Sequence, residues 1–348
     1  MSFGVPVRNG LGIGLRASTA LSTRGAGGTG PLTVANVFST TLYTGNGSTQ
    51  TITNGINLSG EGGLLWIKSR SAGGTTSYDH FLTYNDFTKF VRSNTTQAAF
   101  NTSTITPSST GFNLLNGYTQ FNENAITYTS WTARKAPKFF DVVTYTGNNV
   151  IRNITHNLGS VPGMILVKRT DAARDWQVYH RSNANTEYMV LNSTEAKSTG
   201  TTRWNSTTPT STEFTVGTDS TVNASGGTYV AYLFAHDAGG FGATGTDSIV
   251  SCGSYFVSNE GTPTAVTLGW EPQFLMVKKS NTTSDWWMID NKRGFTAGGA
   301  DNTLYSNLSA AEAAITGWAP TATGFTASGA TANGGFDTYI YIAIRKAA

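Results

Sequence analysis

The chain repeats itself, and the repeat limits what it can fold into. Residues 163–169 read GMILVKR, residues 273–279 read QFLMVKK and residues 62–69 read GGLLWIKS. Lys68, Lys168 and Lys278 close these runs, 100 and 110 residues apart. A leucine stands ten positions before each lysine, at Leu58, Leu158 and Leu268. Pro162 and Pro272 precede the second and third runs, where the first has Gly62. Tyr43 and Tyr145 each open a Tyr-Thr-Gly-Asn, and Cys252-Gly-Ser-Tyr is a weaker third copy. Thr76, Trp176 and Trp286 lie eight positions after the lysines, and His80, His180 and Asp290 lie twelve after. Gly111-Phe112, Glu213-Phe214 and Gly324-Phe325 follow, and each copy ends in a strand-like run, at 128–135, 229–236 and 339–346. So many matched positions in one order mark a tandem triplication.

Four consecutive apolar residues leave a strand no solvent side, so each run predicts a strand buried on both faces. The terminal lysine is expected to keep its stem packed while its tip reaches water. The proline sets how the strand begins. In the last strand of each copy, Thr129/Trp131/Ala133, Val230/Tyr232/Phe234 and Ile340/Ile342/Ile344 form the core face by period two. The middle copy has Tyr229, Ala231, Leu233 and Ala235 on the other face, which predicts extra covering protein there or an oligomer interface. Only Leu308–Ile315 (LSAAEAAI) reads as a helix; Thr, Tyr, Val, Trp and Gly dominate elsewhere and favour strands and turns. The expected fold is all-β: three tandem β-sandwich modules at 38–138, 139–246 and 247–348, behind an extended Gly-rich N-terminal arm, 1–37.

Little here points to chemistry. Net charge is +3, too mild and too dispersed to argue for nucleic acid. No apolar run reaches the length of about 18 residues that spans a bilayer, and no signal peptide is visible at Met1-Ser-Phe-Gly-Val-Pro. One cysteine, Cys252, excludes an intrachain disulfide. His80, His180 and Asp290 would make a metal or acid/base site only if the copies converged on an axis, and they read better as separate loop residues. Asp171/Asp175 and Asp285/Asp290 read as turn acids rather than a hydrolytic pair. No catalytic residue, metal or cofactor is therefore assigned. Among the aromatics, Tyr179, Trp270 and Trp287 are the candidates to face a ligand, since neighbours in a strand such as Trp286 and Trp287 point to opposite faces.

The arm is cationic. Arg8, Arg16 and Arg24 precede the first acidic residue, Glu61. Val5, Val7, Leu11, Ile13 and Leu15 alternate with glycine or polar residues, a pattern suited to adding a strand to a partner's sheet edge. These residues are the candidate assembly contacts.

GLLWIKSRS (63–71), YDHFL (78–82), STGFNL (109–114), RKAPKFFDVVTYTGN (134–148) and HNLGSVPGMILVKRT (156–170) resemble a tandem module of structural proteins from cyanophages and other aquatic bacteriophages. The arm, VPVRNGLGIGLRAST (5–19), is similar to the starts of such proteins. The resemblance implies a non-enzymatic virion protein, a tail fibre or tail-associated host-adhesion protein; a capsid decoration or head-fibre protein is the alternative, and a glycan depolymerase, which would need two carboxylates at hydrolytic spacing, is a third reading that the sequence does not indicate. The resemblance further implies other virion proteins as partners through the arm, a homotrimer by analogy, and a host surface glycan as a candidate ligand.

Overall fold

The computed structural model describes Met1 and residues 31–71, 78–101, 103–115, 119–259, 262–297 and 301–348. The candidate contacts Val5, Val7, Arg8, Leu11, Ile13, Arg16 and Arg24 lie outside the described residues, as does Thr76. The fold is all-β. Three six-stranded antiparallel sheets share one strand order. The first runs Phe38–Thr44, Thr127–Arg134, Gly63–Ser69, Phe81–Thr83, Lys89–Arg92, Phe100–Asn101. The second runs Phe140–Thr146, Thr228–Ala235, Pro162–Arg169, Gln177–His180, Glu187–Val190, Ser198–Thr199. The third runs Val250–Phe256, Thr338–Arg345, Pro272–Lys279, Trp287–Asp290, Asp301–Tyr305, Ala313–Ile315. In each, the lysine-bearing strand is central, which suits its unbroken apolar run. Pro162 and Pro272 begin their strands, and the register shifts just after each of them. The first copy, without a proline, begins its strand differently. A short helix, Leu58–Glu61, leads into Gly62 at φ 71°, where a Cβ would lie 2.2 Å from Asn85 Oδ1.

A smaller sheet covers one face of each large one. It pairs Gln50–Thr53 with Gly111–Leu114, Arg152–Thr155 with Glu213–Val216, and Thr264–Thr267 with Gly324–Ala327. The repeated tyrosines sit between these layers. Tyr43 stacks on Tyr128 at 5.1 Å, Tyr145 on Tyr229 at 5.0 Å and Tyr255 on Tyr339 at 4.7 Å. Phe112, Phe214 and Phe325 meet Tyr43, Tyr145 and Tyr255 edge-on from the small sheets. Each of those three tyrosines also donates its hydroxyl proton to a backbone carbonyl, on Phe121, Val222 and Ala332. The weaker third copy of the tyrosine motif therefore does the same job as the other two.

The opposite faces of the three large sheets meet one another. Trp66, Trp131, Leu166, Tyr232, Phe234, Phe274, Met276, Ile342 and Ile344 belong to one buried cluster that draws on all three modules. Phe274 packs its ring against Phe38 and Trp131, across the join of modules three and one. Gly163 allows a close approach between modules two and three, since a Cβ there would sit 2.7 Å from Cys252. Both faces of every large sheet are thus covered. This accounts for Tyr229, Ala231, Leu233 and Ala235: they are buried under module two's own small sheet, and no additional partner is needed to cover them.

Two further expectations are corrected. Leu308–Ile315 is not helical; residues 308–312 run as a loop and Ala313–Ile315 forms an edge strand. Glu312 explains the override, because its backbone N–H donates to the Arg70 carbonyl of module one. The end of the arm is also part of the folded body. Val34–Val37 forms one helical turn with Val34 and Val37 in the shared core, and Gly242 N–H donates to the Leu32 carbonyl.

Candidate functional site

The lysines do not reach water. Lys68, Lys168 and Lys278 are all 0% exposed. Lys168 Nζ donates to the Arg174 carbonyl at 2.7 Å and to the Thr96 carbonyl of module one at 3.0 Å. Lys278 Nζ repeats this one module on, to Ser284 at 2.6 Å and to Thr194 of module two at 2.9 Å. An ammonium buried among carbonyls must be hydrogen-bonded, and here the acceptors come from the neighbouring module. Burial lowers both ammonium groups to about 8.

The surrounding bonds repeat in step. Ala99 N–H donates to Thr170 O, Lys197 N–H to Ser280 O and Glu312 N–H to Arg70 O. These three bonds join module one to two, two to three and three back to one. The chain therefore closes a ring of head-to-tail contacts within itself. At the first two joins an indole completes the contact: Trp176 Nε1 donates to Arg92 O at 2.8 Å, and Trp286 Nε1 to Val190 O at 3.0 Å. Trp176→Phe keeps an aromatic ring at the site but removes that donor. It is expected to cost about 1–3 kcal/mol, the usual range for orphaning a buried polar group, read as a lower urea midpoint.

The closing join, between modules three and one, is built from ions. Arg293 and Asp290 are both 0% exposed and pair at 2.7 Å. Asp290 Oδ2 also accepts from Trp131 Nε1 of module one at 2.9 Å, and the Arg293 guanidinium lies 5.2 Å from the Trp131 ring centroid. Arg70 of module one holds Glu312 of module three by two hydrogen bonds, at 2.7 and 3.0 Å. Lys68 lies at this join and is pushed down to about 7, mainly by burial. Its Nζ donates to Ser69 O at 2.7 Å.

His80 belongs here too, and its structural counterpart differs from the one that spacing implies. Its backbone N–H donates to Asn94 Oδ1, as those of Trp176 and Trp286 donate to Asn192 and Asn307. His80 thus stands where the other modules place their tryptophans. Module one takes twelve positions from lysine to this site where the others take eight, which shifts the alignment. Trp66 Nε1 donates to His80 Nδ1 at 2.9 Å, so the ring proton sits on Nε2. Burial holds the imidazole well below its usual range. His180 and Asp290 occupy a different position, and each faces the next module: His180 Nε2 lies 3.1 Å from Tyr341 O. The three residues do not share a site. Among the described residues, no group of three or more His, Cys, Asp and Glu is placed to hold a metal ion. Asp171 is paired with Arg169, and Asp175 and Asp285 accept from Asn192 and Asn307, as turn acids do.

Of the candidate ligand-facing aromatics, Trp287 lies inside module three's core, 5.3 Å from Trp318, and Trp270 is buried in the same cluster. Trp286 and Trp287 do point to opposite faces, but both faces are covered. Tyr179 is 4% exposed and lines an open cavity on module two.

A family described as a domain of unknown function (DUF7483) matches residues 33–347. The chain belongs to this family. The match begins where the N-terminal helical turn docks and takes in all three large sheets. No curated protein matches the chain. No helix among the described residues is long and apolar enough to cross a membrane.

Proposed function

We propose that the chain is a non-enzymatic structural protein of a bacteriophage particle, a tail fibre or tail-associated adhesion protein anchored by its N-terminal arm. The observation that carries this reading is the closed ring. Its bonds are spent on holding three modules in fixed relation, through buried lysines, indoles and an internal ion pair. A body of that kind suits display or mechanical support, and the motifs quoted above resemble phage structural proteins. Closure within one chain also bears on assembly. The ring meets within a single chain the needs that single-module subunits would have to meet between chains. A homotrimer, if it forms, draws on the arm or on the outer faces. Three similar modules in a ring also suit a threefold position on a shell, and this favours the capsid decoration or head-fibre reading as second.

Two measurements test the proposal. Antibody labelling of intact particles is expected to mark the tail; head labelling selects the second reading, and unlabelled particles overturn both. A chain beginning at Pro31 keeps Leu32, Val34 and Val37, so it is expected to fold and unfold as the full chain does yet fail to join particles. Incorporation at the full-length level would remove the arm as the anchor.

A further inference from the structure

The loop after Gln177–His180 carries Asn183 and Asn185, and beside them a cavity of about 440 Å³ opens on module two.

Its lining is chemically one-sided. Val161, Tyr179, Arg181, Asn183, Asn185 and Thr208 surround it, with no carboxylate among them. Asn183 is 8% exposed and its Nδ2 has no hydrogen-bond partner. Buried amide donors are ordinarily satisfied, and this one, lining the cavity, is available to an acceptor placed there. Among the described residues no acid lies within ion-pair distance of Arg181; its Nη1 makes one long contact, 3.5 Å, to Cys252 O. Asn185 Nδ2 donates to Thr208 Oγ1 at 3.2 Å, which fixes that amide. Trp204 holds the Tyr179 ring edge-on at 6.0 Å, and Val161, 49% exposed, forms the apolar rim.

We propose that this cavity binds a single carboxylate-bearing sugar residue. The guanidinium takes the carboxylate, the amides take ring hydroxyls, and the C–H face rests on Tyr179 and Val161. That the sugar belongs to a host surface polysaccharide rests on the adhesion reading above; the site itself does not. Particle labelling and sugar binding therefore fail independently.

The test is titration of the full chain, followed by ligand-observed NMR and calorimetry. The probes are the methyl glycosides of D-glucuronate and D-galacturonate, with those of D-glucose and D-galactose as neutral controls. At least one uronate is expected to saturate, with an affinity on the order of 1 mM, and to bind at least about tenfold more tightly than its neutral counterpart. Asn185→Phe, which puts a ring into the cavity, is expected to abolish saturation while leaving the melting temperature unchanged. Arg181→Gln is expected to bring uronate and neutral sugar to equal affinity, and it serves alone if the phenylalanine variant fails to fold. Absence of saturation by both uronates overturns the proposal. So does unchanged uronate binding by a folded Asn185→Phe protein or by Arg181→Gln.

Discussion

Arg293→Ala is expected to destabilise the protein by about 3–5 kcal/mol, the loss typical of breaking a buried ion pair from one side. Arg293 is fully buried and fully used. Its Nε bonds Asp290, its Nη1 the Asn302 carbonyl and its Nη2 the Met288 carbonyl. Removing it leaves Asp290 without its cation in a site closed to water, still accepting from Trp131 across the join. The loss is read from urea unfolding. Replacing both partners with apolar residues, Asp290→Leu with Arg293→Met, should recover much of it, because the desolvation cost goes with the charges. Arg70→Ala breaks the neighbouring pair, whose side chains are 20% and 17% exposed, and should cost no more than about 1 kcal/mol. If Arg293→Ala cost as little as Arg70→Ala, the buried pair would not be what holds the closing join.

Much of the architecture is legible in the repeat. The apolar runs are central strands because four buried residues in a row allow nothing else. The period-two faces of the closing strands, Trp131/Ala133 and its counterparts, do point into a core. What that pattern hides is that the other face is buried as well. Ser130 and Thr132 alternate with that face, yet both are 0% exposed, and Asn54 Nδ2 donates to Thr132 Oγ1. The same gap misplaced Trp287, whose strand alternates as expected inside a sheet covered twice over. The joins were less visible still, because their partners are far apart in sequence. Lys168 meets Thr96 from 72 residues away, and Glu312 meets Arg70 from 242. A lysine that ends a strand looks like a tip in water until those carbonyls are placed. His80 was obscured by a longer loop, which broke the count from lysine to tryptophan.

Stability is expected to rise with pH between 8 and 9.5, by about 2–5 kcal/mol if the three lysines act together. Burial holds Lys68 to about 7 and Lys168 and Lys278 to about 8 in the folded chain, against 10.5 unfolded. Between those values the unfolded chain keeps protons that the folded chain has released. Each lysine then adds up to about 1.4 kcal/mol per pH unit. As pH falls through 8 and 7 the folded chain takes the protons up, the gain disappears, and the full cost of burying the cations remains. Burial also lifts the Cys252 thiol, so the unfolded thiol ionises first and takes back part of the rise near pH 9, while other groups bound the window. Asp301, raised to about 7 by burial, acts in the opposite sense but has finished titrating below pH 8. Tyr43, Tyr145 and Tyr255 are held well above 10 by burial, so unfolded tyrosines ionise first and stability turns down beyond about pH 10. Urea unfolding across pH 6.5–10.5 reads the whole curve, and Lys168→Met assigns it. Methionine fills the stem's volume but leaves the Thr96 and Arg174 carbonyls without their donor, so the variant should lose most at pH 9.5, where the native amine is neutral and still bonded. At pH 6.5 the loss should shrink, because the variant also escapes burying a charge. The slope between pH 8 and 9.5 should fall by roughly a third, one lysine's share. A flat curve in the unchanged protein, or an unchanged slope in Lys168→Met, would mean that these lysines stay protonated inside the ring.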